Sequence, residues 1–152
     1  MCVYCDHPER DYLTEEVLPI IARAGWLVQG VSGSGPQAPF AYTVGLTAMG
    51  RPELLVTGLE IEAAAMLLNR FAAGPDVEPG DVVEVDGRYV EGVHIPHPEA
   101  HLYVADDLYG PDLRAVQLAW QDEHGHSPWC KAHREGRGGQ PVLGPRGPRA
   151  IT

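Results

Sequence analysis

The sequence predicts an α+β fold: a single domain with a mostly antiparallel sheet or small open barrel and two main helices. Two segments have helical periodicity, and several short ones carry the aromatic and β-branched residues of strands. Regular βα alternation is missing, which argues against a doubly wound sheet.

Residues 14–25 (TEEVLPIIARAG) read as the first helix, with Thr14 as N-cap, acids in the first turn and Gly25 at the stop. Pro19 has no amide hydrogen, so it must lie in a first turn or kink the helix. Residues 26–31 (WLVQGV) then form a strand. After the loop SGSGPQAP, residues 40–46 (FAYTVGL) form a second, and residues 53–59 (ELLVTGL) a third.

The main helix spans residues 60–73, where Ile61, Ala65, Leu68 and Phe71 recur at helical spacing and Gly74-Pro75 ends it. Residues 82–90 (VVEVDGRYV) are a hairpin, because Asp-Gly between alternating apolar residues favours a type I′ turn. The second arm extends toward Ile95. Residues 101–105 (HLYVA) read as a short strand, and residues 115–120 (AVQLAW) fit strand or helix. From Arg134 onward Gly, Pro and Arg dominate without apolar periodicity. The predicted organisation is a compact domain over 1–133 and a flexible basic tail over 134–152.

The chain has 152 residues, enough for one core. Its 44% hydrophobic content argues against disorder across the body. The net charge of -10 disfavours nucleic acid and anionic membranes as partners. No stretch approaches the roughly 18 to 20 apolar residues of a membrane span. The opening MCVYCDHPERDY is polar and acidic rather than a secretion signal, so the expected location is cytoplasmic. Three cysteines in a reducing compartment do not suggest a disulfide framework.

Several phrases occur together: Cys2-x2-Cys5, Gly25-Trp26, the run Tyr42 to Leu46 (YTVGL), Pro52-Glu53-Leu54 leading to Gly58-Leu59, and Val116-Gln117-Leu118 with Trp120, Asp122, Gly125, Pro128 and Trp129. Over roughly residues 2 to 130 the chain resembles a bacterial domain-of-unknown-function family, number 4262, common in actinobacteria. That family has no established activity to carry over. The Tyr-Thr-x-Gly-Leu and Pro-Glu-Leu phrases are also similar to suppressor-of-fused-like domains, which implies a binding module.

The strongest chemical pattern is the placement of thiols and imidazoles. Cys2, Cys5 and His7 open the chain, while His124, His126, Cys130 and His133 close its folded part. Cys2, Cys5, Cys130 and His133 form a candidate Cys3His set for a zinc joining the two ends, since thiolate and imidazole suit that ion. The plain alternative is a set of structural thiols; redox use of Cys2-x2-Cys5 is disfavoured because no strand precedes it. Removal of Met1 would expose Cys2 as an N-terminal nucleophile, a reading of little weight.

A second candidate is His94, His97 and His101, stiffened by Pro96 and Pro98, with Glu99, Asp106 and Asp107 nearby. These could hold zinc, iron or manganese in a small enzyme, or lie separately on a surface loop. His124 and His126, beside Asp122 and Glu123, are candidate general bases, or members of a polar turn closed by Trp129. Residues 30–35 (GVSGSG) lead into a strand and lack a lysine, so they read as a surface loop rather than a phosphate cradle. Neither a nucleophile elbow nor a dinucleotide fingerprint occurs.

Tyr42, Tyr89, Tyr103, Tyr109, Trp120 and Trp129 could line a pocket for flavin or haem, possible cofactors beside zinc, or simply pack in the core. A small barrel of this kind binds flavin between subunits, so a homodimer is an associated expectation. Three functions follow: a zinc-binding protein first, a metal- or cofactor-dependent biosynthetic enzyme second, and a non-catalytic interaction or immunity-type module third. The partner, small molecule or protein, is not legible.

Overall fold

The computed structural model describes residues 12–147. Six strands form one open sheet in the order β1-β2-β3-β6-β5-β4. They are β1 (Leu27–Val31), β2 (Phe40–Val44), β3 (Glu53–Thr57), β4 (Val82–Val85), β5 (Arg88–His94) and β6 (Ala115–Trp120). The three main helical segments are α1 (Leu18–Ala24), α2 (Ile61–Ala72) and α3 (Tyr103–Tyr109). Every strand pair is antiparallel except β3 and β6, where Leu54 lies opposite Val116. The mixed α+β, single-domain expectation holds.

Pleating divides the sheet into two faces. Leu54, Val56, Val116 and Leu118 face Ala64, Leu68, Phe71 and Ala72 of α2. Tyr42, Val44, Leu55 and Ala115 face Val17, Leu102, Ala105 and the segment around Leu113. A buried stripe on α2 at helical spacing therefore builds one core, and shorter elements build the other.

Pro19 enters the first turn of α1, where its missing amide hydrogen is tolerated. The chain reaches that point through a wider π-type turn, Leu13–Val17, with Tyr12 rather than Thr14 at the N-cap position. Gly25 closes α1 at φ 92°. The Asp-Gly turn forms as expected: Asp86 and Gly87 have φ of 51° and 82°, the pair of positive values a type I′ turn needs.

The expected strand over 101–105 is corrected to a helix. Leu102 and Ala105 are buried and Tyr103 is exposed, so Leu102, Ala105 and Leu108 recur every three residues rather than alternating. The ambiguous segment 115–120 is a strand, inserted between β3 and β5.

Part of the segment that composition set apart as a tail lies against the second face. The Pro141 carbonyl accepts hydrogen bonds from Thr57 and Gln117, and the Leu143 amide donates to Gln117. Arg146 forms a two-pronged ion pair with Glu91, both contacts at 3.0 Å. Residues 148–152 lie outside the described part. Among the described residues, no helix is long and apolar enough to cross a membrane.

Candidate metal centre

After β6 the chain enters a polar loop running to Gly136, and one carboxylate organises it. Asp122 is buried and accepts the backbone amides of His124 and His126, each at 2.9 Å, and of Arg134 at 2.6 Å. Burial pushes its pKa up, but the amides of His126, Arg134 and His124 and the nearby His126 ring outweigh this and hold it at about 2. An aspartate at this position satisfies three donors that a loop would otherwise leave to water.

His133 anchors the same loop from inside. Its Nδ1 lies 2.7 Å from the His126 carbonyl oxygen, which can only accept, so Nδ1 carries the proton. Nε2 then accepts from the Gln140 amide at 3.1 Å. Gln140 also bridges the amide and carbonyl of Trp120, and the His133 ring packs against the Trp120 indole at 5.1 Å. Both ring nitrogens of His133 are thus committed within the protein.

Cys130 is exposed, and its close imidazole is His126 rather than His133. Its Sγ lies 3.5 Å from His126 Nδ1. A tetrahedral zinc bound to one sulfur and one imidazole nitrogen places those atoms about 3.5 Å apart, from the usual bond lengths and the tetrahedral angle. The Cys130 amide donates to the Ser127 carbonyl, so a tight turn presents the pair. Next to it, the Arg146 guanidinium lies over the Trp129 ring at 4.0 Å while binding Glu91. The loop is consequently tied to β5 as well as β6.

A second group lies in the same loop. Ligand atoms of Glu123, His124 and Glu135 fall within 4.8 Å of one another, all on exposed residues. His124 Nε2 is 3.5 Å from Glu123 and 4.0 Å from Glu135. Arg134 and Glu135 adopt positive φ, 53° and 61°, where the chain turns back.

The other candidates are dispersed. His94 ends β5 and is exposed, His97 is exposed beside Glu99 at 3.4 Å, and His101 is half-buried after a short 3-10 turn. Among the described residues, none of the three belongs to a metal-capable group of three. Cys2 and Cys5 lie outside the described residues. Tyr42 is a core residue whose hydroxyl accepts the Val104 amide, and Trp120 donates to the Thr57 carbonyl. Tyr103 is exposed, so the six aromatic side chains do not line one cavity.

Sequence reading missed the His126–Cys130 partnership. Its signal, H-x3-C across a Ser-Pro turn, is present but was subordinate to the more familiar C-x2-H spacing. It also missed Glu53, which is fully buried on β3. The Glu53 carboxylate accepts the amides of Gly45, Leu46 and Thr47 and the hydroxyls of Thr43 and Thr47. Pro-Glu-Leu and Tyr-Thr-x-Gly-Leu are therefore two halves of one internal contact. Gly45, at φ 133°, makes the turn that aims those amides inward.

Fold and loop together define a small single-domain α+β protein with a polar, imidazole-rich loop at one sheet end. The chain belongs to the family described as a domain of unknown function (DUF4262), whose model matches residues 20–134. The match takes in the Glu53 contact and the loop through Arg134. The suppressor-of-fused likeness is not shown. No curated protein and no solved structure matches the chain.

Proposed function

We propose that this chain is a small metal-binding protein whose loop 122–136 supplies half of a zinc site through Cys130 Sγ and His126 Nδ1. Cys2 and Cys5 complete the set, giving Cys3His with His126 in place of His133. The 3.5 Å separation of Cys130 Sγ and His126 Nδ1 carries the reading, because it already matches the ligand edge of a tetrahedral zinc. The softness of the donors favours zinc over calcium or magnesium. His133 serves as a support: by fixing the His126 carbonyl it fixes the backbone that presents the imidazole.

A set of four protein ligands leaves no position for substrate, so the ion is structural and ties the start of the chain to the end of the domain. Thiolates of this kind need a reducing compartment, which fits the cytoplasmic expectation. The second reading, favoured by the Glu123–His124–Glu135 group, is a harder ion held by two carboxylates and one imidazole with positions left open for catalysis.

Cobalt substitution distinguishes them. Tetrahedral Co2+ with three thiolates gives strong visible bands and thiolate charge-transfer absorption. Cys130→Ser should reduce the charge-transfer intensity by about a third, in proportion to the three thiolates of the proposed set. Weak, six-coordinate bands unchanged in Cys130→Ser but lost in His124→Ala would favour the second reading instead.

A further inference from the structure

On the opposite face from the C-terminal segment, a groove of about 520 Å³ runs between α2 and the β4–β5 hairpin toward Trp120. Its walls include Met66, Leu67, Tyr89 and Trp120, with Arg70 and Arg88 at the rim. Met66 is 75% exposed and Tyr89 50% exposed, so two large apolar side chains stand in solvent at the groove. The Trp120 indole N–H is spent on the Thr57 carbonyl, so the ring offers the groove apolar surface.

The charge at the rim runs against the rest of the chain. Overall the protein carries -10, yet the groove has two arginines against Asp86. Asp86 is engaged by Arg70 at 3.3 Å. Arg88 is exposed and makes no ion pair among the described residues. A volume of this size suits a small molecule rather than a folded partner.

We infer that this groove binds a small amphiphilic acid, with a planar apolar body against Met66, Tyr89 and Trp120 and its carboxylate on Arg88. The guanidinium fork matches a carboxylate in two-point geometry, and aromatic walls favour a ring over a flexible chain. The groove shares Trp120 with the loop 122–136, whose His133 packs against the indole, but neither His126 nor Cys130 lines it.

The test uses 8-anilinonaphthalene-1-sulfonate as a fluorescent probe, with 2-naphthoate and its neutral amide as competitors, on the full chain. One probe should bind per chain, and 2-naphthoate should displace it at least ten-fold more effectively than the amide. Arg88→Gln should erase that acid preference, and Met66→Glu should weaken probe binding ten-fold or more. Both positions are exposed, and circular dichroism checks that the variants fold. Equal displacement by acid and amide, or binding untouched by both substitutions, overturns the proposal. So does a dimer in sedimentation that Met66→Glu converts to monomer, because a second copy would then occupy the groove.

Discussion

The Asp122 carboxylate accepts the backbone amide of Arg134 at 2.6 Å, closing the loop across a separation of 12 positions in the chain. Two further amides on the same carboxylate make Asp122 the centre from which His124, His126 and His133 take their positions. The metal-binding proposal depends on that closure, because an imidazole on a wandering loop is a poor ligand.

Asp122 should also set an acid limit. Its folded pKa, about 2, lies below the unfolded value near 4. The stabilisation is therefore full above roughly pH 4 and is lost as pH falls toward pH 2. Urea unfolding across that range should show a decline in wild type that is much shallower in Asp122→Asn. Identical pH profiles for the two would mean that the carboxylate is not the loop's anchor.

Replacing Glu53 should damage the whole domain. Glu53→Gln turns an amide group toward backbone N–H donors at Gly45, Leu46 and Thr47, leaving buried donors facing donors. The expected cost is about 3 kcal/mol in urea unfolding, without loss of groove or metal ligands. A change within error of zero would contradict the role assigned to this carboxylate.

The C-terminal segment should detach when its ion pair is removed. Glu91 is nearly buried, and Arg146 gives it both charge-assisted contacts while covering Trp129. In Arg146→Ala, limited proteolysis at Arg137 should accelerate several-fold, and Trp129 fluorescence should shift red as the ring gains water. Unaltered cleavage would show that the Pro141 and Leu143 hydrogen bonds hold the segment unaided.

Alkaline pH should ionise Tyr42 later than an ordinary tyrosine. Burial raises its pKa above the ordinary value of 10, outweighing the Val104 amide that lowers it. The stability contribution of the protonated phenol is complete below pH 10 and is lost as pH rises through the folded pKa. Absorbance titration of Tyr42→Phe should lack one of the phenolates that form above the ordinary range; loss of one that forms at the ordinary pH would place Tyr42 at the surface.

Much of the fold was legible because local signals and tertiary context agreed. The Asp86-Gly87 turn needs positive φ at both residues and has the residues that adopt it. In α2, Leu68, Phe71 and Ala72 of the expected stripe are buried together with Ala64, whereas Ile61 is exposed and Ala65 half-buried. The failure at residues 101–105 has a simple cause: five residues are too few to separate a two-residue period from a helical one, and the half-buried Leu108 that decides it lies just beyond. The contacts of the segment after Arg134 could not be read either, because Pro141 and Leu143 are held by Thr57 and Gln117 through backbone groups that leave no side-chain pattern. At the loop, the imidazole nearest Cys130 was not legible, because it depends on a turn that buries His133 and leaves His126 half-buried.

The most direct measurement is the zinc content of the full chain, purified without chelator, beside Cys130→Ala and His126→Ala. The account predicts about one zinc per chain in the wild type and a loss of most of it in both variants, with the fold retained at neutral pH. Wild-type protein without zinc, or with zinc that both variants keep, would contradict it.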